Sequence, residues 1–189
     1  MDHTATQPAA AQGADLRSLR KSRGLTLADV AARLGKSVGW LSQVERDIST
    51  PEPPELRALA RIFEVPQSLF SAPRALDAET GRIVRAPMRR TIGEREVGLI
   101  EELLSPDLTD SFEVIHSTFL PGAARRTPVT RATQEVGYIV SGKMDIWLDD
   151  ELFTVAAGDS FRIRDQTLRW ANPYDIPAVA VWVISPPVY

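Results

Sequence analysis

The sequence predicts an α+β chain of two domains, a group of five short helices followed by an all-β domain. Up to about Ser71 the apolar residues recur three and four apart, as in Leu27, Val30, Ala31 and Leu34, the spacing of one helix face. From about Ile83 the chain instead alternates or runs in short β-branched and aromatic stretches, such as 112–115 and 179–184, punctuated by Pro-Gly, Ser-Gly, Asp-Asp and Asn-Pro turn signals. Charge divides at the same place. Residues 14–50 carry seven Lys/Arg against four Asp/Glu, net +3, whereas 85–189 carry eleven against fifteen, net −4. The expected organisation is a disordered tail at 1–13, a helical domain at 14–71, a polar linker at 72–84 and the β domain at 85–189.

The 189 residues are 43% hydrophobic and 25% charged, a balance that lets each of two small domains bury a core. No apolar run approaches the roughly 20 residues of a membrane span. The first residues lack the basic start and apolar stretch of a secretory signal, so a cytoplasmic protein with no membrane partner is expected. The absence of cysteine excludes a disulfide framework, a thiolate zinc site and a cysteine nucleophile. With only His3 and His116, most histidine-based metal and acid–base schemes are excluded too.

The helix boundaries follow from capping chemistry. Asp15 is placed to cap a helix running to Arg23, and Gly24 ends it in the left-handed conformation. Thr26 caps the next, with Asp29 three residues on, and Gly35 closes it. Ser37 caps a third helix, Val38 to about Asp47. Pro54 starts a fourth, with Leu56, Leu59, Ala60, Ile62 and Phe63 on its apolar side, and Pro66 opens a short fifth. The three-residue turn between the second and third describes a helix-turn-helix unit.

The run Arg17-x-x-Arg20-x-x-Arg23-Gly-Leu-Thr-Leu-Ala-Asp-Val-Ala-Ala-Arg-Leu-Gly, then Ser37-Val-Gly-Trp-Leu-Ser-Gln-Val-Glu-Arg46, then Pro51 and Leu56-x-x-Leu59-Ala60, resembles the Cro/C1-type (XRE) helix-turn-helix over all of 14–71. The resemblance implies that the third helix enters the major groove of double-stranded DNA, with Val38, Gly39, Trp40 and Gln43 toward base edges. Glutamine suits that place because it can bond adenine bidentately. Thr26, Lys36, Ser37, Ser42 and Arg46 are then expected near phosphates. Arg20 and Glu45 stand where the family buries an arginine–glutamate pair. Leu41 and Val44 already supply the inward stripe of the third helix, which leaves Trp40 without an evident core role. The bland reading is a small helical bundle that never meets DNA.

In the second domain, Glu135-x-x-Tyr138-Ile-Val-Ser-Gly142 through Gly158-Asp159, with Trp170-Ala-Asn172-Pro173 and the closing Trp182-Val-Ile-Ser-Pro-Pro187, resembles the cupin family, an all-β double-stranded β-helix barrel. Metal-binding cupins place a His-x-His pair three or four residues before the glutamate and a third histidine after the second motif. Here those positions hold Pro128 and Thr130, or Val129 and Arg131, and then Leu168 or Arg169. Glu135 is the one family ligand left, too few for a metal. No metal and no cofactor are expected. His116, in step with Val114 and Thr118 on a strand able to line the barrel, reads as a packed or solvent-tipped residue rather than a rescuing ligand.

Small barrels either fill with side chains or enclose one small ligand. Around the lost histidines lie Arg125, Arg126, Arg131, Arg162, Arg164 and Arg169, most of them expected in solvent. One or two are expected inside, Arg131 or Arg126 first, answered either by Glu135 or by an anionic ligand, because an unpaired buried charge is costly. The expected effector set is Arg126, Thr130, Arg131 and Glu135, with Leu168 and Trp170 covering the apolar part.

Together the two resemblances match a class of bacterial ligand-responsive regulators. They imply a homodimeric transcription regulator with no catalytic residues. It would bind a pseudo-palindromic operator and respond to a small effector, anionic or amino-acid-like. The alternative is a metal-dependent cupin oxygenase or epoxidase with an accessory helix-turn-helix domain; a third reading is a scaffold that makes protein contacts only.

Overall fold

A computed structural model describes residues 13–70, 79, 81–93 and 96–188. The chain forms two compact units, Met1–Arg90 with Pro106–Thr109, and Thr91–Ser105 with Asp110–Tyr189. The sequence-predicted tail falls outside the described residues except Gly13, and so does most of the linker. No helix among the described residues is long and apolar enough to cross a membrane.

The first unit holds α1 (Gly13–Ser22), α2 (Leu27–Leu34), α3 (Val38–Val44) and α4 (Pro53–Phe63). Among the described residues four α-helices stand where five are expected. The fifth, Gln67–Phe70, is a single 3₁₀ turn, closed by Leu69 N–H donating to the Pro66 carbonyl at 3.1 Å. α1 begins two residues before Asp15, so Asp15 lies in its first turn and is not the cap. The cause is tertiary. Gly13 N–H donates to Asp47 Oδ1 at 2.7 Å, and a Cβ at Gly13 would lie 2.3 Å from the Val44 carbonyl oxygen. α2 carries the expected capping box: Thr26 Oγ1 accepts the Asp29 N–H at 3.1 Å, and the Asp29 carboxylate accepts the Thr26 N–H at 2.8 Å. α3 stops at Val44, short of Asp47, because Asp47 turns left-handed at φ 55° and the N–H groups of Ile48 and Ser49 fold back onto the Gln43 carbonyl. Pro53, not Pro54, opens α4. Leu16, Leu19, Val30, Leu41, Leu59 and Phe63 form the core.

The second unit is built on β1 (Arg90–Thr91), β2 (Leu99–Leu103), β3 (Glu113–Phe119), β4 (Ala124–Val129), β5 (Gln134–Ser141), β6 (Lys143–Leu148), β7 (Glu151–Ala156), β8 (Ser160–Arg164), β9 (Leu168–Ala171) and β10 (Ala178–Ser185). They form a six-stranded sheet, β1-β2-β3-β10-β5-β8, and a four-stranded sheet, β4-β9-β6-β7. Period-2 alternation sets the faces. Along β3, Glu113, Ile115, Ser117 and Phe119 are buried while Val114, His116 and Thr118 are half-buried on the other side. The inner faces meet where Phe119 of β3 packs edge-on against Trp170 of β9, ring centroids 4.7 Å apart. Gly142, at φ 74°, turns the chain from β5 into β6 where a Cβ would lie 2.4 Å from the Pro177 carbonyl oxygen, so no other residue fits there.

Candidate functional site

The helical unit presents α3 with Leu41 and Val44 buried and Val38, Gly39, Gln43 and Arg46 exposed. Ser37 caps the helix, its hydroxyl accepting the Trp40 N–H at 3.0 Å. Gln43 Oε1 accepts the Ser49 hydroxyl at 3.1 Å, and Arg46 Nε donates to the Ser42 carbonyl at 3.1 Å, which holds both exposed side chains along one end of the helix. Ser42 is half-buried. Trp40 is half-buried too, with the Lys36 ammonium 5.1 Å from its ring centroid. Lys36 is no free phosphate ligand: it pairs with Glu55 Oε1 of α4 at 2.5 Å. Burial opposes ionisation of Glu55, but the Lys36 ammonium and the Glu52 N–H outweigh it and hold the carboxyl below the usual range. Thr26 spends its hydroxyl on its own helix, donating to Asp29 Oδ2 at 2.6 Å. Sequence reasoning missed Glu55 and also Ile48, which is 64% exposed immediately beyond α3.

Behind α3, Arg20 Nε and Nη2 grip Glu45 at 2.6 and 2.9 Å, and Arg20 Nη1 donates to the Leu25 carbonyl at 2.9 Å. Each of the three guanidinium nitrogens donates, so this buried pair fixes α3 against α1 and the turn before α2.

In the barrel, Leu99, Glu101, Phe119, Arg125, Arg131, Glu135, Leu168, Trp170, Trp182 and Ile184 line a cavity of about 30 Å³. Of the sequence-predicted effector residues, Arg131, Glu135, Leu168 and Trp170 are brought together there. Arg126 and Thr130 are not: both are exposed, and Arg126 lies with Arg169 and Trp147 on the opposite face of the sheet. Arg125 takes the inward place, because β4 pairs with β9 in the register Arg125↔Trp170 and directly opposed residues share a face. Counting forward from the Pro121-Gly122 turn would have found it, since buried Ala123 sets the parity. Arg125 Nε pairs with Glu96 Oε1 at 2.7 Å. Glu135 accepts the Thr133 hydroxyl at 2.7 Å and meets Arg131 Nη1 only at 3.5 Å. Glu101 Oε1 accepts the Ser117 hydroxyl at 3.5 Å.

The cavity's donor set does not fit the metal that the cupin resemblance implies. Around Glu135 stand a guanidinium and a hydroxyl, both donating into the carboxylate that a metal would need, and apolar Leu168, Trp170, Trp182 and Ile184. His116 cannot be recruited, because it points away from the cavity-facing residues of β3 and lies 3.6 Å from Glu102. Two guanidiniums and two carboxylates instead leave the cavity balanced in charge.

Comparison with known proteins agrees with the two units. Residues 12–72 match the helix-turn-helix domain and residues 115–184 the cupin domain. The chain is 28% identical over 148 residues to the HTH-type transcriptional regulator SutR of Escherichia coli (strain K12), covering 78% of each. A crystal structure of an HTH_3 family transcriptional regulator from Vibrio cholerae is similar at 24% identity and TM-score 0.44, covering 95% of this chain and 97% of that one. Hydroxypropylphosphonic acid epoxidase from S. wedmorenis is similar at 16% identity and TM-score 0.45, covering 94% and 99%. Structural likeness of that degree says nothing of activity. By these matched residues, the chain carries a helix-turn-helix domain followed by a cupin domain.

Proposed function

We propose that the protein is a sequence-specific DNA-binding transcription regulator, cytoplasmic and homodimeric, whose cupin barrel binds a small effector without metal and without catalysis. The observation that carries the DNA reading is α3 itself: capped at Ser37, clamped from behind by Arg20–Glu45, with Gln43 and Arg46 exposed on one surface. Gln43 reads a base edge, Val38 and Trp40 offer apolar contact, and Arg46 meets phosphate. Lys36 contributes less, since Glu55 already answers its charge. Two such helices on a dimer call for half-sites about one helical turn apart. Fluorescence anisotropy at two salt concentrations tests this. Gln43→Ala should cost about 1–3 kcal/mol at the operator and relax one base position, whereas Arg46→Ala should weaken specific and random DNA alike. Operator binding indifferent to both changes would refute it.

The effector reading rests on Arg131, Arg125 and Glu135 inside an apolar barrel. A cavity of about 30 Å³ has room for about two waters, so a metabolite must move side chains to enter. Arg131, a quarter exposed and loosely held, is the one that yields. A ligand carboxylate or phosphate takes its guanidinium, and a ligand amino group takes Glu135, which favours anionic or amino-acid-like effectors. The resulting shift of the barrel walls gives the differential state affinity that regulation requires. A thermal-shift screen of neutral, cationic and anionic metabolites tests this on the wild type and on Arg131→Ala and Arg125→Ala, with Arg126→Ala as the control. Anions should stabilise, and each inward substitution should cost about 1.5–3 kcal/mol of effector affinity. Stabilisation by cations alone, or equal loss in Arg126→Ala, would contradict it.

A further inference from the structure

The outer face of the four-stranded sheet carries an open groove of about 430 Å³, lined by Ala124, Arg126, Trp147, Arg169, Ala171 and Pro173 among others. That volume falls within the roughly 300–1,000 Å³ of small-molecule sites, whereas the barrel cavity holds about 30 Å³. Strand pairing builds the groove. Trp147 of β6 stands opposite Arg169 of β9, and Asp145 of β6 stands opposite Ala171, which in turn opposes Ala124 of β4. The small Ala124 and Ala171 side chains leave a shallow, level floor. Arg126, two residues along β4 from Ala124, lines the same groove.

Its charge is one-sided. Neither Arg126 nor Arg169 pairs with a carboxylate among the described residues. Asp145, on the same face, is committed elsewhere: it accepts the Thr154 hydroxyl at 2.7 Å and the Tyr174 hydroxyl at 3.0 Å. Arg169 is half-buried, with its guanidinium 5.2 Å from the Trp147 ring centroid, so the ring already orients it and part of its desolvation is met in the folded state. Two guanidiniums beside one groove repel each other. An oxyanion between them removes that repulsion and accepts hydrogen bonds from both planar forks.

We propose that this groove is a second ligand site, taking a small organic oxyanion, a carboxylate or phosphate carried on a flat apolar body. Arg126 and Arg169 take the oxygens, while Ala124, Ala171 and Pro173 lie against the body. The site goes beyond the effector reading and does not rest on it, since Arg131 and Glu135 do not line the groove. Arg125 and Trp170 border both spaces, so Arg131 marks the barrel and Arg126 the groove.

Isothermal titration of the full chain with phenyl phosphate, benzoate, inorganic phosphate and benzyl alcohol tests it. Phenyl phosphate or benzoate should bind, and the tighter of the two names the anion. Inorganic phosphate, which lacks a body, and benzyl alcohol, which lacks a charge, should each bind about tenfold more weakly or worse. Arg126→Ala and Arg169→Ala should each weaken the aromatic anion about tenfold or more with unchanged circular dichroism, while Arg131→Ala leaves it unchanged. Arg169→Lys, which keeps the charge and loses the fork, should recover only part of the loss. An anion held in the barrel shows the reverse pattern, so the two sites fail separately. Failure of both aromatic anions to bind, loss in Arg131→Ala in place of Arg126→Ala, or inorganic phosphate binding as tightly as phenyl phosphate would overturn the proposal. So would weakened random-duplex binding in Arg126→Ala while no probe binds, which gives these arginines to a phosphate backbone.

Discussion

In the helical unit Arg20 grips Glu45 through two short bonds and donates from its remaining nitrogen to a carbonyl; in the barrel Arg131 reaches Glu135 through one contact at 3.5 Å, and Thr133 holds the glutamate instead. The side chains of the first pair are 10% and 5% exposed, those of the second 25% and 5%. The same two residue types thus serve opposite ends. A fully satisfied buried pair locks α3 in one orientation, because breaking it strands a charge. A half-satisfied pair beside a small cavity can exchange its partner for a ligand at little cost.

The largest expected effect is on the clamp. Glu45→Ala should cost about 3–5 kcal/mol of stability in the helical unit, read as a lowered denaturant midpoint, because the Arg20 guanidinium is left buried and unanswered. A loss under about 1 kcal/mol would place this pair with surface ion pairs. In the barrel the order should invert expectation from charge alone. Thr133→Val, which removes the short bond to Glu135, should cost about 1–3 kcal/mol, the desolvation of a buried acceptor left without its donor. Arg131→Ala should cost less, about 1 kcal/mol or under, since its contact is long and partly solvated. If Arg131→Ala proved the more damaging, the pair would be structural and the effector reading would lose its movable gate.

Much of the helical unit was legible because its signals are local. The Thr26–Asp29 box, the Ser37 cap and the left-handed Gly35 each occupy a few consecutive residues and fold as read. The start of α1 was not legible, since Gly13 is placed by Asp47, 34 residues away. The barrel shows the same division. Strand texture was readable, but which arginine faces inward depends on the pairing of β4 with β9 and on the register shift between Arg125 and Val129, a non-local matter. The choice among the neighbouring arginines therefore fell on Arg126, whereas the strand pairing gives Arg125. For His116 the companions Val114 and Thr118 were legible, but not the side of β3 that the three share.

A small effect sharpens the contrast at the α2 cap. The Thr26 hydroxyl and then the Thr26 N–H hold the Asp29 carboxyl below the ordinary carboxylate range. Its folded pKa lies under its unfolded value of about 3.9, so the stabilisation is present above that pH and is lost as pH falls through the folded value. Asp29→Asn should lower melting slightly at neutral pH and leave no difference from wild type in strong acid. A difference that persists there would trace to the amide and not to the charge.

The central claim, that α3 reads DNA sequence, is tested most directly by selecting bound duplexes from a random pool with the full chain. The account predicts enrichment of an inverted repeat whose half-sites lie about one helical turn apart, with one base position in each half losing its preference in Gln43→Ala. A pool that stays random, or an enriched site unchanged by Gln43→Ala and Arg46→Ala, would contradict it.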